Sequence, residues 1–183
     1  MWIAVVVVVL VIAMMVGPIM LMQPNKRQRR VAQLRAMALK CDLRVRMMRM
    51  PADAVRPGET VALYYKAWPG GKPRPVNWVL TRRTFVHGMH FLADWDWNNG
   101  DVASPAWQQI LRQSLPQLPP SVIAVEASSQ SLGLGWLEVA GGKGVEQAVE
   151  ELNRWLQQVM DQFASSMAVP PIPDQDGDHA ERD

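Results

Sequence analysis

The chain has 183 residues, of which 49% are hydrophobic, and its 19 basic and 17 acidic residues nearly balance. Without an apolar N-terminal segment and a polar C-terminal one, roughly 140 residues are left, which suits a single domain. The single cysteine, Cys41, excludes an internal disulfide, and the chain has neither a Gly-x-Ser-x-Gly motif nor a Cys-x-x-Cys pair.

An uninterrupted apolar run at residues 2–22 is the most informative feature of the sequence. A helix of this length would match a hydrocarbon core of about 30 Å, and no basic residue precedes it as a secretory signal requires. Four basic residues follow closely: Lys26, Arg27, Arg29 and Arg30. Because such residues stay on the cytoplasmic side, we predict a transmembrane anchor at 1–24 in the bacterial cytoplasmic (inner) membrane. Its N-terminus would lie outside and the C-terminal domain in the cytoplasm.

Residues 25–42 are predicted to form a basic amphipathic helix beside the membrane. Its apolar positions follow helical spacing, and basic side chains fall on the other faces. We expect those basic side chains to rest on anionic headgroups of the lipid bilayer, while the apolar stripe packs on the following domain. Nucleic-acid binding is not expected, because proximity to a membrane already accounts for the charge.

Residues 43–167 carry the pattern of an α+β domain, in which helices pack on one face of an antiparallel sheet. Strands are predicted at 43–47, 59–68 and 76–83, and the short loops between them predict a meander of adjacent strands. A further short strand is placed at 90–93. Two segments, 121–128 and 133–140, are typical of a hairpin.

Two helices complete the predicted domain. Ser104 and Pro105 are typical of a helix start, and Pro116 ends that helix. The last helix is predicted at 145–164, where apolar residues recur on one face. Residues 168–183 are rich in proline and acidic side chains, so we expect a disordered acidic tail.

One cluster has the residue types of a metal site: His87, His90, Asp94 and Asp96. Imidazole and carboxylate groups can hold a divalent ion together, and the two aspartates could also form an acid–base pair. The spacing matches no standard zinc signature, so we prefer a surface loop with buried tryptophans, without metal or cofactor. A metal site, or an enzyme built on it, is kept as an alternative.

Trp95 and Trp97 lie in the least regular segment of the domain, so among the tryptophans we expect these two rings to be the most exposed. Aromatic residues on loops are frequent hot spots of protein contacts. We therefore predict that these two residues contact a protein partner at the membrane. The Gly-Gly-Lys-Gly segment at 141–144 lacks the spacing of a phosphate loop and is interpreted as a linker.

The stretch Pro18–Arg30, PIMLMQPNKRQRR, resembles the start of the small accessory subunit of the bacterial preprotein translocase, the YajC family. That family also has one N-out span, a proline near the inner boundary, a Lys/Arg-rich run and a compact cytoplasmic β-rich domain. The resemblance covers little more than the first 40 residues and implies a protein associated with the secretion machinery. The full layout is similar to that of uncharacterised inner-membrane proteins of proteobacteria.

These patterns predict a non-enzymatic, single-pass inner-membrane protein whose cytoplasmic interaction domain has an accessory or scaffold role. Two alternatives stay open at this point. One is an accessory subunit of the preprotein translocase. The other is a metal-binding protein or enzyme that uses the cluster from His87 to Asp96.

Overall fold

The computed structural model describes residues 1–21, 25–84, 91–98 and 102–168, and in the N-terminal helix it describes side chains from 1 to 14. Four α-helices lie within these residues: Trp2–Leu21 (α1), Lys26–Lys40 (α2), Pro105–Ser114 (α3) and Val145–Ala168 (α4). Six strands lie there too: Arg44–Arg49 (β1), Thr60–Ala67 (β2), Trp78–Arg82 (β3), Trp95–Trp97 (β4), Val122–Ala127 (β5) and Ser131–Trp136 (β6). The fold is therefore α+β with a six-stranded antiparallel sheet, as the residue pattern predicts.

The structure corrects the predicted membrane anchor. Among the residues that the structure describes, no helix combines the length and hydropathy that a membrane span requires. The predicted anchor at 1–24, the single-pass topology and the inner-membrane location are overturned by this finding.

The order of the strands also differs from the prediction. All six form one sheet in the order β1-β2-β6-β5-β3-β4, so the β5–β6 hairpin separates β2 from β3 and the predicted meander is wrong. The connection 68–77 passes around the tip of that hairpin: the backbone N–H of Trp68 donates to the oxygen of Gln130 (3.1 Å), and that of Arg74 to Ser129 (2.8 Å). Strands three positions apart are separated by about 15 Å. The connection 68–77 is long enough to span that distance. Its length is therefore compatible with β3 beside β2 and with β3 three positions away, and does not determine which strands pair.

The short strand predicted at 90–93 lies instead at Trp95–Trp97. Ala93 has a positive φ of 50° and closes a tight turn, in which Leu92 and Trp95 exchange two backbone hydrogen bonds of 3.2 and 2.8 Å. The chain therefore reverses where the pattern predicts a strand, and the strand begins after the turn. Residue 90 lies outside the described residues.

The main core lies between the sheet and the helices α2, α3 and α4. Trp107 of α3 is at its centre: its ring centroid is 4.1 Å from that of Phe163, 5.3 Å from Trp78 and 6.0 Å from Trp68. Aromatic side chains bury large areas and add edge-to-face attraction. This cluster therefore joins α3 and α4 to the ends of β2 and β3.

The opposite face of the sheet carries an ion pair that crosses two strands. Arg46 of β1 pairs with Glu126 of β5, although β2 and β6 lie between them. The intervening positions hold Leu63, which is 1% exposed, and the two glycines of β6, Gly133 and Gly135. Because these glycines project no side chain, the long arginine can lie across β6 and cover Leu63.

We expect substitution of either glycine by alanine to destabilise the sheet. An added Cβ would lie 2.9 Å from the Cβ of Tyr65 at Gly133, and 2.8 Å from the Cβ of Ala124 at Gly135. Overpacking of this kind lowers the free energy of unfolding by about 1–3 kcal/mol. Urea unfolding of Gly133→Ala and Gly135→Ala measures the loss.

Gly144→Ala is the matched control, because nothing lies within 4 Å of a Cβ built there. Its free energy of unfolding should stay within about 0.5 kcal/mol of the parent chain. In an Ala124→Gly background, Gly135→Ala should cost less, because the two positions share one contact. Equal losses in Gly135→Ala and the control would contradict the overpacking argument.

Candidate functional site

A cavity of about 470 Å³ opens between the end of β6, the first turns of α4 and the loop that precedes β5. Its volume lies in the range of ligand sites, about 300–1,000 Å³. The apolar part of the lining consists of Pro119, Pro120, Trp136, Val139, Ala140, Ala148 and Leu152. A wider depression of about 840 Å³ runs along α4, but the described residues that line it are all polar side chains of that one helix. The smaller cavity, with its apolar floor, is therefore the candidate site.

One wall of the cavity is shaped by a residue in the left-handed region. Glu138 has φ +58°, a conformation that costs about 1–2 kcal/mol for a residue other than glycine. It ends β6 at Trp136, so the strand predicted to continue to Ala140 stops four residues earlier. The turn leaves Val139 at the rim with 55% of its surface exposed, while Ala140 is 8% exposed and joins the main core.

The turn is held by two side chains that bind the Glu138 carboxylate. Arg35 of α2 donates from Nε to Oε1 (2.8 Å) and from Nη2 to Oε2 (3.2 Å), and Tyr64 of β2 donates from Oη to Oε1 (2.9 Å). The side chain of Glu138 is 13% exposed, so these charge-assisted bonds are partly shielded from water. We call these three residues the Glu138 clamp.

The contacts of the clamp also change the pKa values of Tyr64 and Arg35. Burial raises the pKa of Tyr64 far above its ordinary value, and the negative charge of Glu138 raises it further. The hydrogen bond to Glu138 raises the pKa of Arg35. The phenol therefore stays a neutral donor and the guanidinium a charged one.

A second contact from α2 reaches the other end of the same turn. Arg30 donates from Nη2 to the backbone oxygen of Lys143 (2.9 Å), and the Lys143 ammonium pairs with Glu151 of α4 (2.5 Å). The connection from β6 to α4 is thus fastened at both ends, at Glu138 and at Lys143. The wall of the cavity is therefore held by contacts within the protein.

The polar side chains of the cavity are already partnered within the protein. The indole of Trp136 donates from Nε1 to Ser121 Oγ (3.0 Å), and Gln117 donates to the backbone oxygen of Gln113 (3.3 Å). With the ion pair of Lys143, this arrangement leaves an apolar floor inside a satisfied polar rim. Such a site accepts an apolar group without leaving a buried polar atom unpaired.

The four basic residues predicted to contact lipid lie on the first turns of α2. The helix starts in a capping box, in which Asn25 and Gln28 exchange side-chain bonds to the backbone. Lys26, Arg27 and Arg29 are exposed, and Arg30 contacts the cavity wall. Their contact with a lipid bilayer stays a prediction.

The two tryptophans predicted as partner contacts are placed differently from expectation. Trp95 is 3% exposed, with the guanidinium of Arg82 4.5 Å from its ring centroid. Trp97 is half-buried, and its ring lies 4.7 Å from that of Phe91. Positions two apart on a strand share one face, and in β4 that face meets the main core. The expected exposure is therefore wrong for Trp95, while the role of both residues in partner binding stays a prediction.

The predicted metal cluster is described only in part, because His87 and His90 lie outside the described residues. Asp94 accepts a hydrogen bond from Arg82 (2.6 Å), and the Asp96 carboxylate lies 3.7 Å from Nε of Arg83. Across the described ranges, no group of three or more His, Cys, Asp and Glu side chains could hold a metal ion. The structure thus places each of the two aspartates beside an arginine.

Sequence reasoning missed the Glu138 clamp entirely. Its members are separated by 74 residues (Tyr64 to Glu138) and 103 residues (Arg35 to Glu138), so no local spacing relates them. One signal was available: Glu138 is the only charged residue between Gln130 and Lys143. A lone acid beside an apolar strand indicates a partner somewhere in the fold.

Comparisons of the chain with protein-family models, with curated proteins and with solved structures find no match. The resemblance of Pro18–Arg30 to the YajC family therefore stays a prediction.

Tyr64→Phe removes the hydroxyl that donates to Glu138. At about pH 8 we expect the free energy of unfolding to fall by about 1.5–3 kcal/mol, as for other hydrogen bonds to charged groups. The pKa of Tyr64 is raised in the folded chain above its unfolded value of about 10. The contribution of the phenol is therefore full below about pH 10 and is lost as the pH rises further, because the unfolded chain ionises first. Urea unfolding between about pH 8 and pH 11 should show the difference between parent and variant shrinking.

Tyr65→Phe is the matched control for this measurement. Tyr65 is the next residue of β2 and points to the opposite face, and its hydroxyl bonds to no described residue. Its loss should change the free energy of unfolding by less than about 0.5 kcal/mol. Equal effects of the two substitutions would show that the Tyr64 hydroxyl does not hold the turn.

Proposed function

We propose that this chain is a non-enzymatic interaction domain, with an accessory or scaffold role, that captures an apolar side chain of a protein partner in the cavity beside Val139. The observation that carries the proposal is the combination of an apolar floor with an exposed apolar rim. Val139 is 55% exposed at the mouth of a cavity of about 470 Å³. Binding of an apolar side chain in such an open cavity is favourable, because it removes apolar surface of both partners from water.

The chemistry of the lining supports binding rather than a reaction. A catalytic site needs a nucleophile or base aligned with a partner and directed at the substrate. Here Lys143 and Glu151 neutralise each other, and Ser121 already accepts the indole N–H of Trp136. The lining residues include no histidine or cysteine.

The rigidity of the wall supports the same proposal. The Glu138 clamp and the hydrogen bond from Arg30 to Lys143 hold the segment between β6 and α4 in place through contacts within the protein. A preformed site loses less conformational freedom when it binds, so more of the contact energy appears as affinity. The strained turn at Glu138 is consistent with this role, because strain of this kind is concentrated at binding sites.

Val139→Asp tests the cavity directly. A library of displayed peptides with apolar side chains is selected against the full chain, and the affinity of the selected peptides is then measured by fluorescence anisotropy. We expect Val139→Asp to weaken these peptides by at least about tenfold, because a carboxylate would be buried without a partner. Mass spectrometry of each peptide before and after incubation should show no change in mass.

Val102→Asp is the matched control, because Val102 is also 55% exposed but does not line the cavity. Both variants should unfold within about 0.5 kcal/mol of the parent chain, as is usual for exposed positions. Peptides that bind Val139→Asp as tightly as Val102→Asp would place the binding surface elsewhere. A peptide that is cleaved or modified would overturn the non-enzymatic part of the proposal.

A further inference from the structure

The two edges of the sheet differ in how far they are open to another strand. The outer strand β4 has three residues, whereas β1 has six residues in unbroken register with β2. An edge strand leaves alternate backbone N–H and C=O groups without partners. Among the described residues, no backbone hydrogen bond joins the residues of β1 to any segment but β2. β1 also contains no proline or bulge that would block pairing.

The side chains of β1 give this edge a defined charge pattern. Arg44 and Arg49, at its two ends, are exposed, and neither side chain has a hydrogen bond or ion pair among the described residues. Between them Met47 is 51% exposed. The third arginine, Arg46, is engaged with Glu126 across the sheet. The edge therefore presents two unpaired positive charges, Arg49 on the same face of the sheet as Met47 and Arg44 on the other face.

This pattern disfavours a second copy of the same chain. Arg44 and Arg49 lie on opposite faces of the sheet, because side chains alternate along a strand. Two β1 edges paired with each other would bring together six arginines and no acidic residue of β1, and like charges across a strand pair are destabilising. An extended segment with carboxylates opposite Arg44 and Arg49 reverses the sign of both contacts.

We propose that β1 is a docking edge for an extended acidic segment of a protein partner, which adds antiparallel to the sheet as a seventh strand. Main-chain hydrogen bonds supply the attachment in this mode of recognition, and side chains supply the selectivity. Carboxylates opposite Arg44 and Arg49 select the segment, and an apolar residue opposite Met47 covers the exposed thioether. This surface is separate from the cavity beside Val139.

The test uses a fluorescent peptide with the core Glu-Thr-Val-Thr-Val-Glu, which places its two glutamates opposite Arg49 and Arg44 and a valine opposite Met47. We expect it to bind the full chain, and Arg44→Glu/Arg49→Glu to weaken it by about tenfold or more. The control Arg27→Glu/Lys72→Glu makes the same change in net charge at exposed sites outside β1 and should retain the affinity within about twofold. The peptide with lysine at both ends should prefer the charge-reversed variant.

A second peptide separates strand pairing from simple charge attraction. N-methylation of alternate backbone amides removes the main-chain bonds and keeps both glutamates, so binding should be lost, and the unmodified peptide should slow hydrogen exchange in β1. Val139→Asp should leave this binding unchanged, which keeps the result independent of the cavity. Equal affinity of the methylated peptide, equal weakening by the control variant, or no binding to the parent chain would each overturn the proposal.

Discussion

The carboxylate of Glu138 is the interaction on which the cavity depends. It joins α2, through Arg35, and β2, through Tyr64, to the turn between β6 and α4. The left-handed conformation of Glu138 is unfavourable alone, and the three hydrogen bonds offset that cost because the carboxylate is largely shielded from water. Without them the turn would relax toward ordinary strand geometry and Val139 would leave the rim. The shape of the site is thus set by residues outside its lining.

The centre of the sheet obeys a second constraint, the absence of side chains at Gly133 and Gly135. A Cβ at either position would press on β2 or β5 at less than 3 Å. The same two gaps allow Arg46 to cross β6 and reach Glu126. The absence of side chains at these two glycines therefore permits both the close packing of β6 against its neighbours and the ion pair between β1 and β5.

Local patterns predicted most helices and strands, whereas long-range contacts decided what the patterns could not. The helices α3 and α4 and the β5–β6 hairpin follow from periodicity, and the start of α3 follows from Pro105 in its first turn. The order of the strands does not, because the connection 68–77 is compatible with either neighbour of β2. Hydropathy also misled the interpretation of the N-terminal run, since composition alone does not establish a membrane span. The clamp could not be predicted, because Arg35, Tyr64 and Glu138 meet only once the sheet has formed.

The two surfaces proposed above, the cavity and the β1 edge, would recognise a partner through different physical interactions. The cavity would select by shape and apolar area, which is tolerant of sequence. The edge would select by backbone pairing and by the spacing of two charges, which disfavours basic segments. Both surfaces lie on elements fixed by β2, which pairs with β1 on one side and carries Tyr64 of the clamp on its helix-facing side. Under these two proposals, one strand supports two chemically distinct contact surfaces.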